Sequence, residues 1–143
     1  VATAGWSSVG SEDVAGVGVL IEVCLASRAM RRARMSLIER LQTINGAIAE
    51  AFANKGAVVY MRTDLEFHRA LYLRAQAPAM LAMAETVWLQ LGPTMRALYD
   101  RLRRTEPPPH HNLILAAVQA GAEPGLRLAG RSDVPQGLRL FAR

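Results

Sequence analysis

The sequence has 143 residues, of which 51% are apolar and 20% are charged. This length suffices for one domain with a buried core, and the composition is that of a globular protein, which excludes a disordered chain. The net charge of +5 suggests a nucleic-acid partner. However, apart from Lys55 every basic residue is an arginine, and the densest arginine cluster contains no aromatic residue for base stacking. A solvated helix face is the simpler interpretation of that cluster.

The sequence also limits the cellular setting. The single cysteine, Cys24, excludes a disulfide framework, and its apolar neighbours Val23 and Leu25 predict a buried thiol. No apolar run is long enough to span a membrane, and the first residues lack the basic region of a signal peptide. We therefore expect a cytoplasmic protein without a membrane partner.

The amino-terminal part changes character near Gly18. Residues 1–17 are rich in small residues without a sustained apolar period, so we interpret them as a tail or the remnant of a linker. From Gly18 a helical period predicts a first helix that ends near Arg34, with cations at its carboxyl end. The face predicted for this helix consists of Leu20, Val23, Cys24, Ser27 and Met30.

A second helix is predicted from Leu37 to Ala53. Ser36 and Glu39 have the spacing of a capping box, and Asn54-Lys55-Gly56 is a stop signal. Gly46 within this helix costs up to about 1 kcal/mol relative to alanine. A close helix crossing at that residue would offset the cost.

Three further helices follow. The third is predicted from Val58 to Ala75, and the fourth begins at Pro78, a residue suited to a first turn. Gly92-Pro93 must kink or end the fourth helix, after which the period resumes up to Arg104. A proline-rich connector precedes a fifth helix that runs from His110 to near Gly121. A short sixth helix is expected over residues 123–132, and no strand pattern occurs, so the fold class is all-α.

Polar residues on the third and fifth helices are candidates for a metal site. Asp64 and His68 lie one helical turn apart, where a carboxylate and an imidazole can chelate one cation. Their stripe also passes Met61 and Ala75, which favours an inward orientation. His111 shares an apolar stripe of the fifth helix and is predicted to point inward too.

Two motifs in these helices carry a family resemblance. D-x-x-F-H-x-x-L runs from Asp64 to Leu71 and is followed by Ala77-Pro78, while H-x-x-I-x-x-A runs from His111 to Ala117. In their order and separation they resemble the FCD domain, the effector-binding half of FadR-type GntR transcriptional regulators. The resemblance extends from about Leu20 to Asp133.

The resemblance implies an antiparallel helical bundle of about six helices over residues 18–133, followed by a carboxyl-terminal tail at 134–143. Such a bundle holds a divalent metal, often zinc or nickel, beside a cavity for a small organic acid. In this chain the metal ligands would be Asp64, His68 and His111, and the position of the family's fourth ligand, a histidine, falls on Asp133.

The resemblance further implies a ligand-sensing domain and not an enzyme. We expect a homodimer that binds a small carboxylate effector and meets DNA only through a winged helix-turn-helix that this sequence does not contain. Arg96, one turn after Pro93, is the candidate that binds the effector carboxylate, with a surface arginine as the alternative.

Two alternatives belong to other functional classes. A metal held by two histidines and a carboxylate also occurs in hydrolytic and oxygen-activating enzymes. Such an enzyme needs a general base, and the nearest acid, Glu66, is predicted to point away from the ligands. The other alternative is a metal-free helical dimerisation module whose basic face contacts an acidic partner.

Overall fold

The computed structural model describes residues 8–102 and 110–121. Within these ranges the chain forms helices and no strand, which confirms the all-α class. The helices are α1 (Ser8–Met30), α2 (Met35–Asn54), α3 (Ala57–Leu73), α4 (Pro78–Leu102) and α5 (His110–Ala120). The sixth helix predicted over residues 123–132 lies outside the described residues, as does Asp133. None of the helices described is long and apolar enough to cross a membrane.

The helices pack against one another in a bundle. α2 packs along α3, α1 packs along α4, and α3 touches both α1 and α4. α5 returns to lie against α2. The largest fully buried side chains are Leu25, Leu41, Phe67 and Leu71. Each such burial stabilises the fold by about 1.5–3 kcal/mol. Two of these four side chains belong to α3, which therefore lies at the centre of the core.

The ends of α2 lie within two residues of their predicted positions, but the residue that caps its start is not the predicted one. This helix ends at Asn54, as the stop signal indicates, but its N-cap residue is Arg34. The backbone N–H groups of Leu37 and Ile38 already bond to the carbonyl oxygen of Arg34, so Ser36 lies inside the first turn. The capping box predicted for Ser36 is therefore wrong, and no side chain caps this helix end.

The first helix differs most from its prediction. It begins at Ser8, ten positions before Gly18, so part of the segment interpreted as a tail is helical. Ala15 is only 1% exposed because it packs against Val87 and Leu91 of α4. This contact explains why a segment of small residues is helical. Its packing against α4 stabilises the helix, although the segment lacks a sustained period of large apolar residues.

Of the face predicted for α1, only Ser27 is fully buried. Leu20 is 68% exposed and Cys24 is exposed, so the prediction of a buried thiol is wrong. Among the α1 side chains whose burial the structure describes, the buried ones are Ala15, Leu25, Ala26, Ser27 and Ala29. Most of these are small, which allows the helix to lie close to its neighbours. A face of small residues does not produce the period of large apolar side chains that predicts a buried helix face.

The close helix crossing occurs at Gly18 and not at Gly46. A Cβ atom at Gly18 would lie 2.9 Å from Cγ1 of Val87, which is too close for two carbon atoms. At Gly46 nothing lies within 4 Å of the corresponding position. Gly18 therefore sets how closely α1 approaches α4.

The fourth helix continues through Pro93 to Leu102. Leu91 and Tyr99 are both buried on either side of the proline, while Pro93 itself is exposed. Burial of these side chains offsets the free-energy cost of the helix hydrogen bond that is lost at the proline. The sequence signal at Gly92-Pro93 thus does not end this element.

Candidate metal centre

One polar stripe of α3 faces the interior of the bundle. Asp64 and His68, one turn apart, are 8% and 5% exposed, and Tyr72 in the next turn is 4% exposed. The three side chains share a face because residues four apart in a helix lie above one another. The inward orientation predicted for Asp64 and His68 therefore agrees with the structure.

The fifth helix brings a second imidazole to this stripe. His111 lies in the first turn of α5 and is 3% exposed, and Ile114 on the same helix is buried as well. Beside it, the side-chain amide of Asn45 on α2 donates a 2.7 Å hydrogen bond to the side-chain oxygen of Asn112. This packing places His111 Nε2 at 2.8 Å from Oδ1 of Asp64.

The three side chains together form a donor set of one carboxylate and two imidazoles. One candidate ligand atom from each of Asp64, His68 and His111 lies within 4.8 Å of the others. Two ligands bonded at roughly 2 Å to one tetrahedral ion are about 3.3 Å apart. The largest separation in this cluster would have to shrink by about 1.5 Å to bring all three ligand atoms onto one ion, which small rotations of the side chains can supply. The residues therefore fit a divalent metal, and the donor types suit zinc or nickel.

Aromatic packing holds the two imidazoles in place. Phe67, which is fully buried, meets the ring of His68 edge-on at 5.7 Å and the ring of His111 at 4.8 Å. The two imidazole centroids are 5.2 Å apart. Because Phe67 excludes water from one side, charges at this centre interact more strongly than they would in solution.

A polar network that the sequence analysis did not assign continues the stripe. The hydroxyl of Tyr72 donates a 3.1 Å hydrogen bond to Oε1 of Glu22 on α1 and lies 3.4 Å from Nδ1 of His68. Trp88 of α4 stacks on the tyrosine ring at 6.2 Å. The four-residue spacing from His68 to Tyr72 was the available signal, but tyrosine at that position resembles an ordinary core residue.

The remaining candidates are not part of this buried cluster. Arg96 is exposed on α4, and its role with an effector stays a prediction. Glu66, the acid considered as a general base, is exposed on α3 while the ligand candidates on that helix are buried. Asp133 lies outside the described residues, so its place in a ligand set also stays a prediction.

Comparison with known proteins decides the family. The model of the FCD domain matches residues 14–133, which is most of the chain. The chain belongs to the FCD-domain family. The resemblance carried by the two helix motifs is thereby confirmed, and with it the assignment to the FCD domains of GntR-type regulators, a family of regulators and not of enzymes.

Two comparisons point to one relative. The HTH-type transcriptional regulator McbR of Escherichia coli (strain K12) is 33% identical over 64 residues, which are 43% of this chain and 29% of that protein. The match thus spans under a third of the relative's length. The solved structure of E. coli McbR/YncC superposes with a TM-score of 0.80 at 20% identity, covering 92% of this chain and 67% of that one. This likeness shows that the two share the bundle fold.

Proposed function

We propose that this chain is the sensing domain of a transcriptional regulator and that it binds a small organic acid beside a divalent metal. The observation that carries the proposal is the buried cluster of Asp64, His68 and His111, whose ligand atoms lie within 4.8 Å of one another. Family membership supports the regulatory part, as does the name of the relative, an HTH-type transcriptional regulator.

Three protein side chains leave room for a further ligand at a zinc or nickel ion. When bound, the ion supplies positive charge and an open position that a carboxylate can occupy. Asp64 contributes the negative charge that partly balances the ion, and the two imidazoles complete the protein's share. Asp133 is the candidate for a fourth protein ligand, and its carboxylate would then compete with the effector for that position.

The helices suggest how ligand binding reaches the rest of a regulator. The ligand candidates lie on α3 and α5, so filling the site ties these two helices together. A ligand that favours one arrangement of helices shifts the population of the protein toward it. In a homodimer this shift would change the placement of DNA-binding domains, which lie outside this sequence. We place this activity in the cytoplasm.

The proposal is tested by thermal unfolding of the purified chain, first stripped of metal, with zinc or nickel and a panel of small carboxylic acids. We expect the metal to raise the melting temperature, because a ligand that binds only the folded state stabilises it. Effective acids should raise it further only when metal is present, and their amides should not. Stabilisation by acids that is independent of metal would contradict the proposed site.

Arg96 has a separate test with a matched control. If its guanidinium binds the effector carboxylate, Arg96→Gln should lower the affinity for the best acid of the panel roughly tenfold or more. Arg62→Gln, at an exposed arginine of α3, should leave that affinity unchanged. Equal affinities in both variants would show that Arg96 does not bind the effector and is an ordinary surface arginine.

A further inference from the structure

Tyr72 lies where three helices meet. Its hydroxyl contacts Glu22 of α1 and His68 of its own helix α3, and its ring stacks on Trp88 of α4 with an interplanar angle of 27°. It is only 4% exposed. A buried hydroxyl between a carboxylate and an imidazole is constrained in which way it donates, because it has one hydrogen and two acceptor lone pairs.

The direction of the two hydrogen bonds follows from this constraint. A carboxylate accepts hydrogen bonds, so the hydroxyl donates its hydrogen to Oε1 of Glu22, 3.1 Å away. The hydroxyl oxygen is then the acceptor for the ring nitrogen Nδ1 of His68, 3.4 Å away. This arrangement requires the hydrogen of a neutral His68 to be on Nδ1. The lone pair is then on Nε2.

We propose that Glu22 and Tyr72 form a relay that fixes His68 in the Nδ1–H tautomer and so presents Nε2 as the ligand nitrogen. The relay rests on the proposed metal site for its use, but its geometry is present without a metal. Outer partners of this kind set the tautomer and ring orientation of histidine ligands in metal sites. Tyr72 is thus a positioning residue, and it links α1 to the metal centre.

Packing makes the relay specific. The ring centroid of His68 lies 5.7 Å from that of Phe67 and 5.8 Å from that of Tyr72, and both neighbours are buried. A flip of the imidazole would exchange the nitrogen that meets the tyrosine hydroxyl for a carbon and leave that polar contact unmade. A displacement of α1 that moves Glu22 would therefore change the hydrogen bonding of His68, although α1 supplies none of the three ligand candidates.

The direct test reads the tautomer of His68 by nitrogen-15 NMR of the imidazole, in metal-free protein at a pH where the histidines are neutral. The His68 signal is assigned by its loss in His68→Gln. We expect Nδ1–H in the unmodified chain and a shift toward Nε2–H in Tyr72→Phe, which keeps the ring and removes the hydroxyl. The matched control is Tyr99→Phe, because Tyr99 is also buried and its hydroxyl donates to the carbonyl oxygen of Phe52 at 3.4 Å.

A second variant leaves the tyrosine intact. In Glu22→Ala the hydroxyl loses this acceptor and can donate to Nδ1 of His68 instead, which again favours Nε2–H. A residue that only fills space would not produce this change. The proposal is overturned if His68 has the same tautomer in the unmodified chain, Tyr72→Phe and Glu22→Ala.

The affinity for cobalt, followed by its visible absorption, gives a second readout. Tyr72→Phe should weaken cobalt binding by about 10–100-fold, the usual effect of losing an outer partner, while Tyr99→Phe should not. Equal cobalt affinity in Tyr72→Phe and the unmodified chain would overturn the relay's role in positioning a ligand. If the unmodified chain binds no cobalt, zinc or nickel, the proposed metal function fails, and that role fails with it. The tautomer measurement still shows whether Tyr72 orients His68.

Discussion

The carboxylate of Asp64 lies close to both imidazoles of the candidate site. Its Oδ1 lies 2.8 Å from His111 Nε2, and the candidate ligand atoms of Asp64 and His68 lie within 4.8 Å of each other. A buried carboxylate is costly unless a cation or hydrogen-bond donors compensate it. At this position the imidazole of His111 lies close to the carboxylate, and a bound metal would supply the compensating positive charge.

Asp64→Asn tests this role with little change in side-chain volume. The amide removes the negative charge and is a poor metal ligand, so we expect zinc affinity to fall by at least about tenfold. The measurement is competition with a chromophoric chelator. Asp100→Asn, at an exposed acid of α4, is the control and should bind zinc as the unmodified chain does. Unchanged affinity in Asp64→Asn would remove Asp64 from the ligand set.

For individual residues, the sequence was informative where the residue type and its position on a helix both indicated a site. The inward placement of Asp64, His68 and His111 could be predicted because a carboxylate and imidazoles on apolar stripes are unusual. Glu22 could not be assigned a role, because its partner Tyr72 is 50 residues away in the chain. Cys24 was misassigned because its neighbours in sequence do not define the face on which it lies.

At the scale of helices, the crossing of α1 and α4 depends on Gly18. A methyl group there would meet Val87 at 2.9 Å, and a β-branched side chain in a helix has little freedom to move away. Gly46 lies in α2 with nothing within 4 Å, so a methyl group there meets no obstacle. The two glycines therefore form a matched pair with the same backbone preference and different surroundings.

We expect Gly46→Ala to raise the free energy of unfolding by up to about 1 kcal/mol, the difference in helix propensity. In Gly18→Ala the same gain is opposed by an overpacking cost of about 1–3 kcal/mol, so the net effect should be a loss. Urea denaturation followed by circular dichroism measures both. Stabilisation by Gly18→Ala equal to that by Gly46→Ala would show that α1 does not approach α4 this closely.

The fifth helix should respond to metal more than the others. It contributes His111 but packs mainly on α2, whereas the other two ligand candidates lie on α3. Zinc would therefore add a connection between α5 and α3, and we expect slower amide hydrogen exchange in α5 when zinc is added. Residues of α2 far from the site serve as the internal control. Equal slowing throughout the chain, or none in α5, would contradict this coupling.

The helices differ in how well sequence predicts them, and the reason is physical. In α2 and α3 large side chains such as Leu41, Ile48 and Phe67 repeat at the helical period and are buried, so their positions could be predicted. In α1 the buried face consists mostly of alanines together with Gly18, which stabilise the fold by allowing close packing and not by burying a large apolar area. This contribution depends on the position of α4 and cannot be predicted from the sequence of α1 alone.

For the whole molecule, exposed apolar residues on α4 support the predicted homodimer. Met83 is 58% exposed and Leu89 is 81% exposed in the single chain. We expect light scattering to show a dimer at protein concentrations of about tens of micromolar. Leu89→Glu should shift the equilibrium toward monomer if α4 forms the contact. A strictly monomeric unmodified chain would count against the dimer.

The proposed sensing function depends on one divalent ion bound at Asp64, His68 and His111. Calorimetric titration of the metal-stripped chain with zinc and nickel tests it most directly, with the double variant His68→Gln, His111→Gln compared after circular dichroism has verified its helices. We predict one ion per chain and affinity reduced by at least about 100-fold in the double variant. No binding by the unmodified chain, or equal binding by both proteins, would contradict a metal site at these residues.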